Sequence, residues 1–211
     1  MKGKKFIDLF IVIVVECILA IVLIVSIKKI IYEINYINKI NSIMADTLEI
    51  EKKWIIDKKN IPYDLSNAEI IEIEQTYISF SPEIRVRKIN GGKEYTFAVK
   101  TNITSDGMTR DELEDYITEE EYNNLIKKRE GNTIHKTRYQ FLDGDYLLAI
   151  DIFSGELEGL AYLEIEFENQ DEVDKFETPS WVIKDVTSDL NYKNGYLARY
   201  GIPDNFFEYI K

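Results

Sequence analysis

"LEIEKKW" occupies residues 48–54 and alternates apolar with charged side chains. Alternation with a period of two predicts a β-strand with two unlike faces. One face would carry Glu49, Glu51 and Lys53, and the other face would carry the apolar residues. The same four letters return at Leu163 in "LEIEFE", where Glu164 and Glu166 share a face. The chain therefore has two strands, far apart in sequence, that each present a row of carboxylates.

Alternation of this kind dominates from Thr47 onward, and turn signals such as "NGG" and "DG" separate the alternating stretches. About eight or nine strands at regular spacing indicate a barrel or a sandwich. The further stretches are IEIEQTYISF (71–80), EIRVRKI (83–89), KEYTFAVK (93–100), RDELEDYI (110–117), IHKTRYQF (134–141), YLLAIDIF (146–153) and WVIKDVTSDL (181–190).

Three helices are predicted between or after these strands. "TEEEYNNLIKKREG" begins with Thr118 and Glu121 at the spacing of a capping box and closes at Gly131. A shorter helix is predicted in "NQDEVDKF", and a third in "NYKNGYLARYG", which ends at Gly201. The fold class is therefore mainly β with peripheral helices, an α+β domain.

Composition excludes several kinds of site. The 211 residues carry a net charge of −12, so bulk attraction to nucleic acid is not expected. With one cysteine, Cys17, the chain has no disulfide within it and no zinc site built on cysteines. The single histidine, His135, excludes a histidine-rich metal site. Any chemistry must use carboxylates, Lys, Arg, Tyr and metal ions.

Charge is sorted by strand, with acids at 49/51, 112/114 and 164/166 and bases at 85/87 and 136/138. Exposure to water is enough to explain the charged face of one strand, but it explains a whole set of strands sorted by charge less well. Sorted rows favour a barrel with a polar lumen, where carboxylates would repel one another without cations. Carboxylates without His or Cys favour Mg²⁺ or Mn²⁺, and Lys and Arg suit phosphate oxygens. The combination predicts a phosphoryl-transfer site.

The N-terminal stretch Phe6–Ile27 is a nearly continuous apolar run of membrane-spanning length, and Glu16 near its middle is the main departure. The resulting domain prediction is a membrane anchor at 1–29, a helical stalk at 30–46 and a globular domain at 47–211. Isoleucines at every third position of the stalk suggest self-association, with a homodimer as one outcome. We expect the catalytic domain on the cytoplasmic side of the cell membrane, or free in the cytoplasm if translation starts at Met44.

The motifs resemble the CYTH superfamily, also called triphosphate tunnel metalloenzymes. "EIEKKW" is similar to its ExExK signature, and the resemblance continues in order through "EQTYI", "IRVRK", "YTFAVK", "GMTRDELE", "HKTRY", "IDIFSGELEGL", "LEIEF" and "PSWVIKDVTSDLNYKNGYLA". It covers nearly all of Thr47–Ala198. The resemblance implies a closed antiparallel eight-stranded β-barrel with a tunnel, in which Mg²⁺ or Mn²⁺ supports triphosphate hydrolysis or cyclisation. The family's "QGY" reads "QTY" here, with Thr76 in place of glycine.

The resemblance also implies a role for each matching residue. Lys53 and Tyr77 would position or activate the attacking water. Glu112 and Glu114 would either bind metal or hold the basic groups in place. The implied metal ligands are Glu49, Glu51, Asp151, Glu164 and Glu166. The implied substrate-binding residues are Arg85, Arg87, Lys100, Lys136, Arg138 and Lys184.

Three functions are compatible with these residues. The leading one is hydrolysis of tripolyphosphate or a related triphosphate such as ATP or thiamine triphosphate. The second is a class IV-like adenylyl cyclase that forms cyclic AMP from ATP. The third is a membrane-tethered sensor that binds polyphosphate or nucleotide without turnover, and the intact acidic set argues against it.

Overall fold

A computed structural model describes residues 2–44, 48–102 and 108–210, with side chains for 14–40, 50–101 and 108–210. The chain divides into two compact units, Met1–Asn41 and Ser42–Lys211. Helix α1 runs from Lys2 to Met44 without a break at the predicted boundary after residue 29.

The predicted membrane anchor lies within α1, and the side chains of its residues 6–13 fall outside the described ones. Over the part of the chain that is described, no helix has both the length and the apolar character needed to span a membrane. The membrane anchor at residues 1–29 stays a prediction from the sequence.

The described residues of the second unit form nine strands, and eight of them close into an antiparallel barrel. These eight are β1 (Leu48–Ile55), β2 (Glu69–Phe80), β3 (Glu83–Ile89), β4 (Glu94–Asn102), β5 (Thr109–Tyr116), β6 (Ile134–Asp143), β7 (Tyr146–Ser154) and β8 (Ala161–Phe167). Their order around the barrel is β5-β4-β3-β2-β6-β7-β8-β1, and pairing of β1 with β5 closes the ring. The predicted eight-stranded barrel is confirmed.

The ninth strand, β9 (Lys184–Asp185), is much shorter than the predicted stretch 181–190. One edge of β1 pairs with β8, and its other edge is divided between β5 and β9. Residues 48–50 of that second edge pair with β5, and only Trp54 and Ile55 pair with β9. The predicted strand was too long, since barrel closure already uses residues 48–50 of that edge.

Short helices cover the barrel. Helix α2 (Glu119–Leu125) begins with the predicted capping box of Thr118 and Glu121, and α3 (Gln170–Lys175) is capped by Asn169. Helix α4 (Asn194–Tyr200) ends at Gly201 as predicted, and α5 (Phe206–Tyr209) follows it.

Two apolar clusters lie on different sides of the barrel wall. The outward face of β1, β7 and β8 packs under α3, with Trp54, Ile150 and Leu163 fully buried. The second cluster joins lumen-facing residues at one end of the barrel to the C-terminal helices. Its members include Ile55, Tyr77, Phe153, Tyr162, Tyr192, Leu197, Ala198 and Phe206. The C-terminal segment thus fills that end of the lumen.

Candidate active site

Strand register places the two LEIE copies side by side. Across β1 and β8, Glu51 lies opposite Glu166, and Lys53 lies opposite Glu164. Directly opposed residues in a sheet share a face, so both carboxylate rows line one wall of the lumen. Glu49 belongs to the same face by alternation, and its backbone pairs with that of Arg110, but its side chain is outside the described residues.

Lys53 sits at the centre of this acidic wall. Its Nζ lies 2.8 Å from Glu164 Oε1, 3.3 Å from Glu51 Oε1 and 5.3 Å from the ring centre of Tyr162. Burial alone would lower the pKa of the ammonium group, but Glu164 and Glu51 outweigh burial and raise it. Lys53 is therefore charged in the neutral pH range, although it is only 2% exposed.

A second group forms around Asp151, which is fully buried. Lys136 Nζ donates to Asp151 Oδ2. The guanidinium of Arg138 donates to both Asp151 oxygens, at 2.8 and 2.9 Å, and to Glu164 Oε2 at 2.5 Å. Burial lowers the pKa of Lys136 to about 8, in spite of Asp151. These contacts confirm that β6, β7 and β8 bring predicted acidic and basic residues together.

A third group lies on the opposite wall, where β5 supplies the acids. Arg85 lies 2.8 Å from Glu112, and Lys100 Nζ lies 2.7 Å from the other oxygen of the same carboxylate. Arg87 lies 3.4 Å from Glu114. Burial opposes ionisation of Glu112, but Arg85 and Lys100 prevail and lower its pKa. Of the two roles weighed for Glu112 and Glu114, the geometry favours holding the basic groups in place.

Two lumen residues were missed by the sequence reasoning. Arg110 lies 3.6 Å from Glu83, and Lys193 Nζ lies 3.7 Å from Glu51 Oε1. A signal existed for Arg110, because it shares the alternation parity of Glu112 on β5. No periodicity could have revealed Lys193, which reaches the lumen from the segment just before α4.

Buried nitrogen atoms without partners point into this cluster. Among the described side chains, Lys193 Nζ and Arg85 Nε are buried and lack a hydrogen-bond partner. Burial lowers the pKa of Lys193. An unsatisfied buried donor is costly, so these atoms fit a ligand that brings acceptor oxygens. The arrangement can bind an anion with several such oxygens.

The predicted pair of Lys53 and Tyr77 is not in direct contact. The contacts described for Lys53 go to Glu51, Glu164 and Tyr162, whereas the Tyr77 hydroxyl accepts a hydrogen bond from Gln75 Nε2 at 2.9 Å. Burial is the main reason that the pKa of Tyr77 is raised. Tyr77 is thus a neutral phenol in the neutral pH range.

Lys184 is the predicted substrate residue that the structure leaves outside the group. It is exposed, lies opposite Ile55 at the rim of the barrel, and has no ion pair in the described part of the chain. Its predicted phosphate contact stays a prediction. His135 is exposed on the outer face, as expected.

The acidic wall offers the donors that a hard divalent cation prefers, carboxylate oxygens without His or Cys. Within the described residues, no three carboxylates are grouped closely enough to hold an ion. Asp151 and Glu164 are engaged by basic groups instead. Glu51 and Glu166 face each other, and Glu49 precedes them on the same face. Glu51 is likewise paired with Lys53 and Lys193.

Comparison with known proteins is consistent with this architecture. The model of the CYTH domain matches residues 47–198. An inorganic triphosphatase of Nitrosomonas europaea is 32% identical over 155 residues, covering 71% of this chain and 96% of that protein. An inorganic triphosphatase of Acetivibrio thermocellus is 36% identical over 154 residues, covering 72% and 93%.

Solved structures agree with the sequence relatives. The crystal structure of the inorganic triphosphatase NE1496 superimposes with a TM-score of 0.52 at 30% identity. That match covers 71% of this chain and 93% of the other.

Proposed function

This chain belongs to the CYTH family, and we propose that it hydrolyses a triphosphate, with water attacking the terminal phosphoryl group inside the barrel. One observation carries the proposal. The lumen holds buried basic side chains from four strands and from the segment before α4, facing a wall of carboxylates. Inorganic tripolyphosphate is the substrate class that we favour, since both named relatives are inorganic triphosphatases.

The basic residues bind the substrate in this proposal. A triphosphate carries several negative charges and many acceptor oxygens, and Arg side chains suit such oxygens because they donate in a fixed fork. Arg85 and Arg87 act from one wall, and Lys136 and Arg138 from another. Lys100 and the newly identified Lys193 complete the set. Substrate phosphates would compete with Glu112, Glu114 and Asp151 for these cations.

A divalent cation, Mg²⁺ or Mn²⁺, would be held by Glu49, Glu51 and Glu166, and Asp151 and Glu164 would join them if they released the basic groups that they now contact. Such an ion neutralises phosphate charge and lowers the pKa of bound water. Glu164 stays ionised there, since Lys53, Lys136 and Arg138 hold its pKa well below its usual value against the effect of burial.

Lys53 and Tyr77 position the reactants and do not remove a proton in this account. Lys53 stays protonated beside Glu164 and Glu51, so it cannot accept a proton. Tyr77 stays neutral because burial raises its pKa, so its hydroxyl acts as a hydrogen-bond donor or acceptor. Both side chains therefore orient water or phosphate oxygens.

The test is phosphate release by the purified full-length chain, with Mg²⁺ or Mn²⁺, from tripolyphosphate, ATP and thiamine triphosphate in parallel. We expect release that requires the divalent cation and is fastest with tripolyphosphate. Folded protein that releases phosphate from none of the three would contradict the proposal. Cyclic AMP formed from ATP would instead support the cyclase, and binding without turnover would support the sensor.

A further inference from the structure

Gln75 is a buried polar residue that no role above uses. It lies on β2, two positions before Tyr77 and on the same lumen face, and it is 0% exposed. A buried amide is costly unless its oxygen and nitrogen are both engaged. The partners of this amide therefore indicate what it does.

Both ends of the Gln75 amide contact functional side chains. Arg87 Nε donates to Gln75 Oε1 at 3.0 Å, and Gln75 Nε2 donates to the Tyr77 hydroxyl at 2.9 Å. Strand pairing explains the geometry, because Gln75 lies directly opposite Arg87 across β2 and β3. Tyr77 lies opposite Arg85 in the same ladder.

The direction of these two hydrogen bonds is fixed by chemistry. Arginine can only donate, so the oxygen of the Gln75 amide must face Arg87 and its nitrogen must face Tyr77. The Tyr77 oxygen therefore accepts from Gln75, and its own proton is available to another acceptor. A reversed amide would place two donors against each other at Arg87.

We infer that Gln75 is a positioning residue that links the phosphate-binding Arg87 to the Tyr77 hydroxyl through one oriented amide. The inference rests on the proposed function for its catalytic consequence. Phosphate oxygens that accept hydrogen bonds from Arg87 meet a guanidinium whose orientation is set by the hydrogen bond from its Nε to Gln75. The same amide fixes where the phenol oxygen sits and where its proton points.

A double-mutant cycle tests this link through turnover. Gln75→Met keeps the length of the side chain and removes both hydrogen bonds, and we expect kcat to fall about tenfold, the effect of losing one buried hydrogen bond. In a Tyr77→Phe background the same change should lower kcat no further, because the hydroxyl it acts on is gone. An equal loss of kcat in both backgrounds would overturn the inference.

A second variant separates the two hydrogen bonds. Gln75→Glu keeps an acceptor for Arg87 Nε but, when ionised, has no donor for Tyr77. It should lose kcat as Gln75→Met does while keeping Arg87 ordered. A kcat equal to that of the unaltered protein would contradict the link to Tyr77.

The control is Thr76→Val on the same strand. Thr76 is equally buried but faces outward, where its hydroxyl pairs with that of Thr133 at 2.9 Å. We expect it to lower stability without changing kcat or KM. A similar loss of kcat in this variant would mean that any buried polar change in β2 impairs turnover.

One readout is independent of catalysis. The Arg87 Nε–H proton should exchange slowly with water, as NMR can measure, and exchange should speed up about tenfold in Gln75→Met but not in Gln75→Glu. Unchanged exchange in Gln75→Met would overturn the inference even in a protein without triphosphatase activity. Absence of phosphate release with the expected exchange pattern would count against the proposed function alone.

Discussion

Lys53 shows how a charged side chain is kept ionised in this lumen although water hardly reaches it. Its ammonium group is nearly inaccessible, yet Glu164 and Glu51 keep it ionised. Buried ion pairs contribute little net stability compared with apolar residues, but loss of one partner leaves the other charge uncompensated. The ion pair therefore adds little to folding stability, but it holds a cation in place for an anionic ligand.

The first prediction follows from the cost of leaving a buried charge uncompensated. Lys53→Met should lower the free energy of unfolding by about 3–5 kcal/mol, because the buried carboxylate of Glu164 and the partly buried one of Glu51 each lose a cationic partner. Lys58→Met is the matched control, since Lys58 pairs with Glu158 at 3.7 Å with both side chains more than half exposed. Its expected cost is about 0–1 kcal/mol. Urea denaturation that gives equal losses would contradict the account.

The second prediction concerns Glu112 and pH. Its pKa in the folded protein is lowered from 4.5 by Arg85 and Lys100, so its ionised form contributes stability above about pH 4.5. That contribution is lost as the pH falls from 4.5 through the lowered folded pKa. Glu112→Gln should be less stable than the unaltered protein at pH 7 and should lose less stability on acidification. Parallel denaturation midpoints from pH 7 to pH 3 would contradict this.

Sequence alone predicted most of the charged residues that meet in the lumen, because alternation assigns a face to each. Arg85, Arg87, Lys136 and Arg138 all contact carboxylates there. Contacts that depend on which strands are neighbours could not be predicted. The pairing of Gln75 with Arg87 needs the β2–β3 register, and the phosphate contact of Lys184 stays a prediction.

The C-terminal helices close one end of the barrel. Leu197 and Ala198 of α4 pack with lumen-facing Tyr77 and Tyr162 in one apolar cluster. Gly131 permits the close approach, since its φ is +73° and a Cβ there would lie 2.6 Å from the Ala198 carbonyl oxygen. The same segment delivers Lys193 to Glu51, so closure and site assembly are coupled.

The third prediction tests that packing. Leu197→Ala should lower the free energy of unfolding by about 2–5 kcal/mol, because it leaves a cavity among buried residues. Leu113→Ala on β5 is the control, since Leu113 is 65% exposed on the outer face and should change stability by about 0.5 kcal/mol or less. Equal denaturation midpoints for the two variants would show that the C-terminal cluster contributes nothing to stability.

Sequence patterns predicted which elements form better than they predicted how long each element is. The capping box at Thr118 and the stop at Gly201 are local features, and both are confirmed. The stretch from 181 to 190 alternates like a strand, but only Lys184 and Asp185 pair with β1, opposite Ile55 and Trp54. Which residues of β1 are already paired with β5 cannot be read from a single sequence.

The whole molecule combines a net charge of −12 with a lumen rich in Lys and Arg. Bulk charge would repel a polyanion, so attraction must act at short range inside the barrel, where pairing with fixed cations is stronger than in water. The closed barrel supplies that enclosure, and it removes exposed strand edges at the same time.

Membrane attachment by residues 6–27 stays a prediction from the sequence. If it holds, the full-length chain should sediment with membranes and resist alkaline extraction, whereas a chain starting at Met44 should remain in the supernatant. Full-length protein that is recovered in the supernatant without detergent would contradict the prediction.

If the acidic wall of the lumen supports triphosphate hydrolysis, the carboxylate of Glu166 is required for it. The measurement is the initial rate of phosphate release from tripolyphosphate by Glu166→Gln, beside Glu72→Gln, which alters an exposed carboxylate on the outer face of β2. Loss of a group that only supports a metal ligand costs about 10–100-fold, so loss of a direct ligand should lower the rate by about a hundredfold or more. Glu72→Gln should keep the rate of the unaltered protein. Equal rates for the two variants, both folded, would contradict the account.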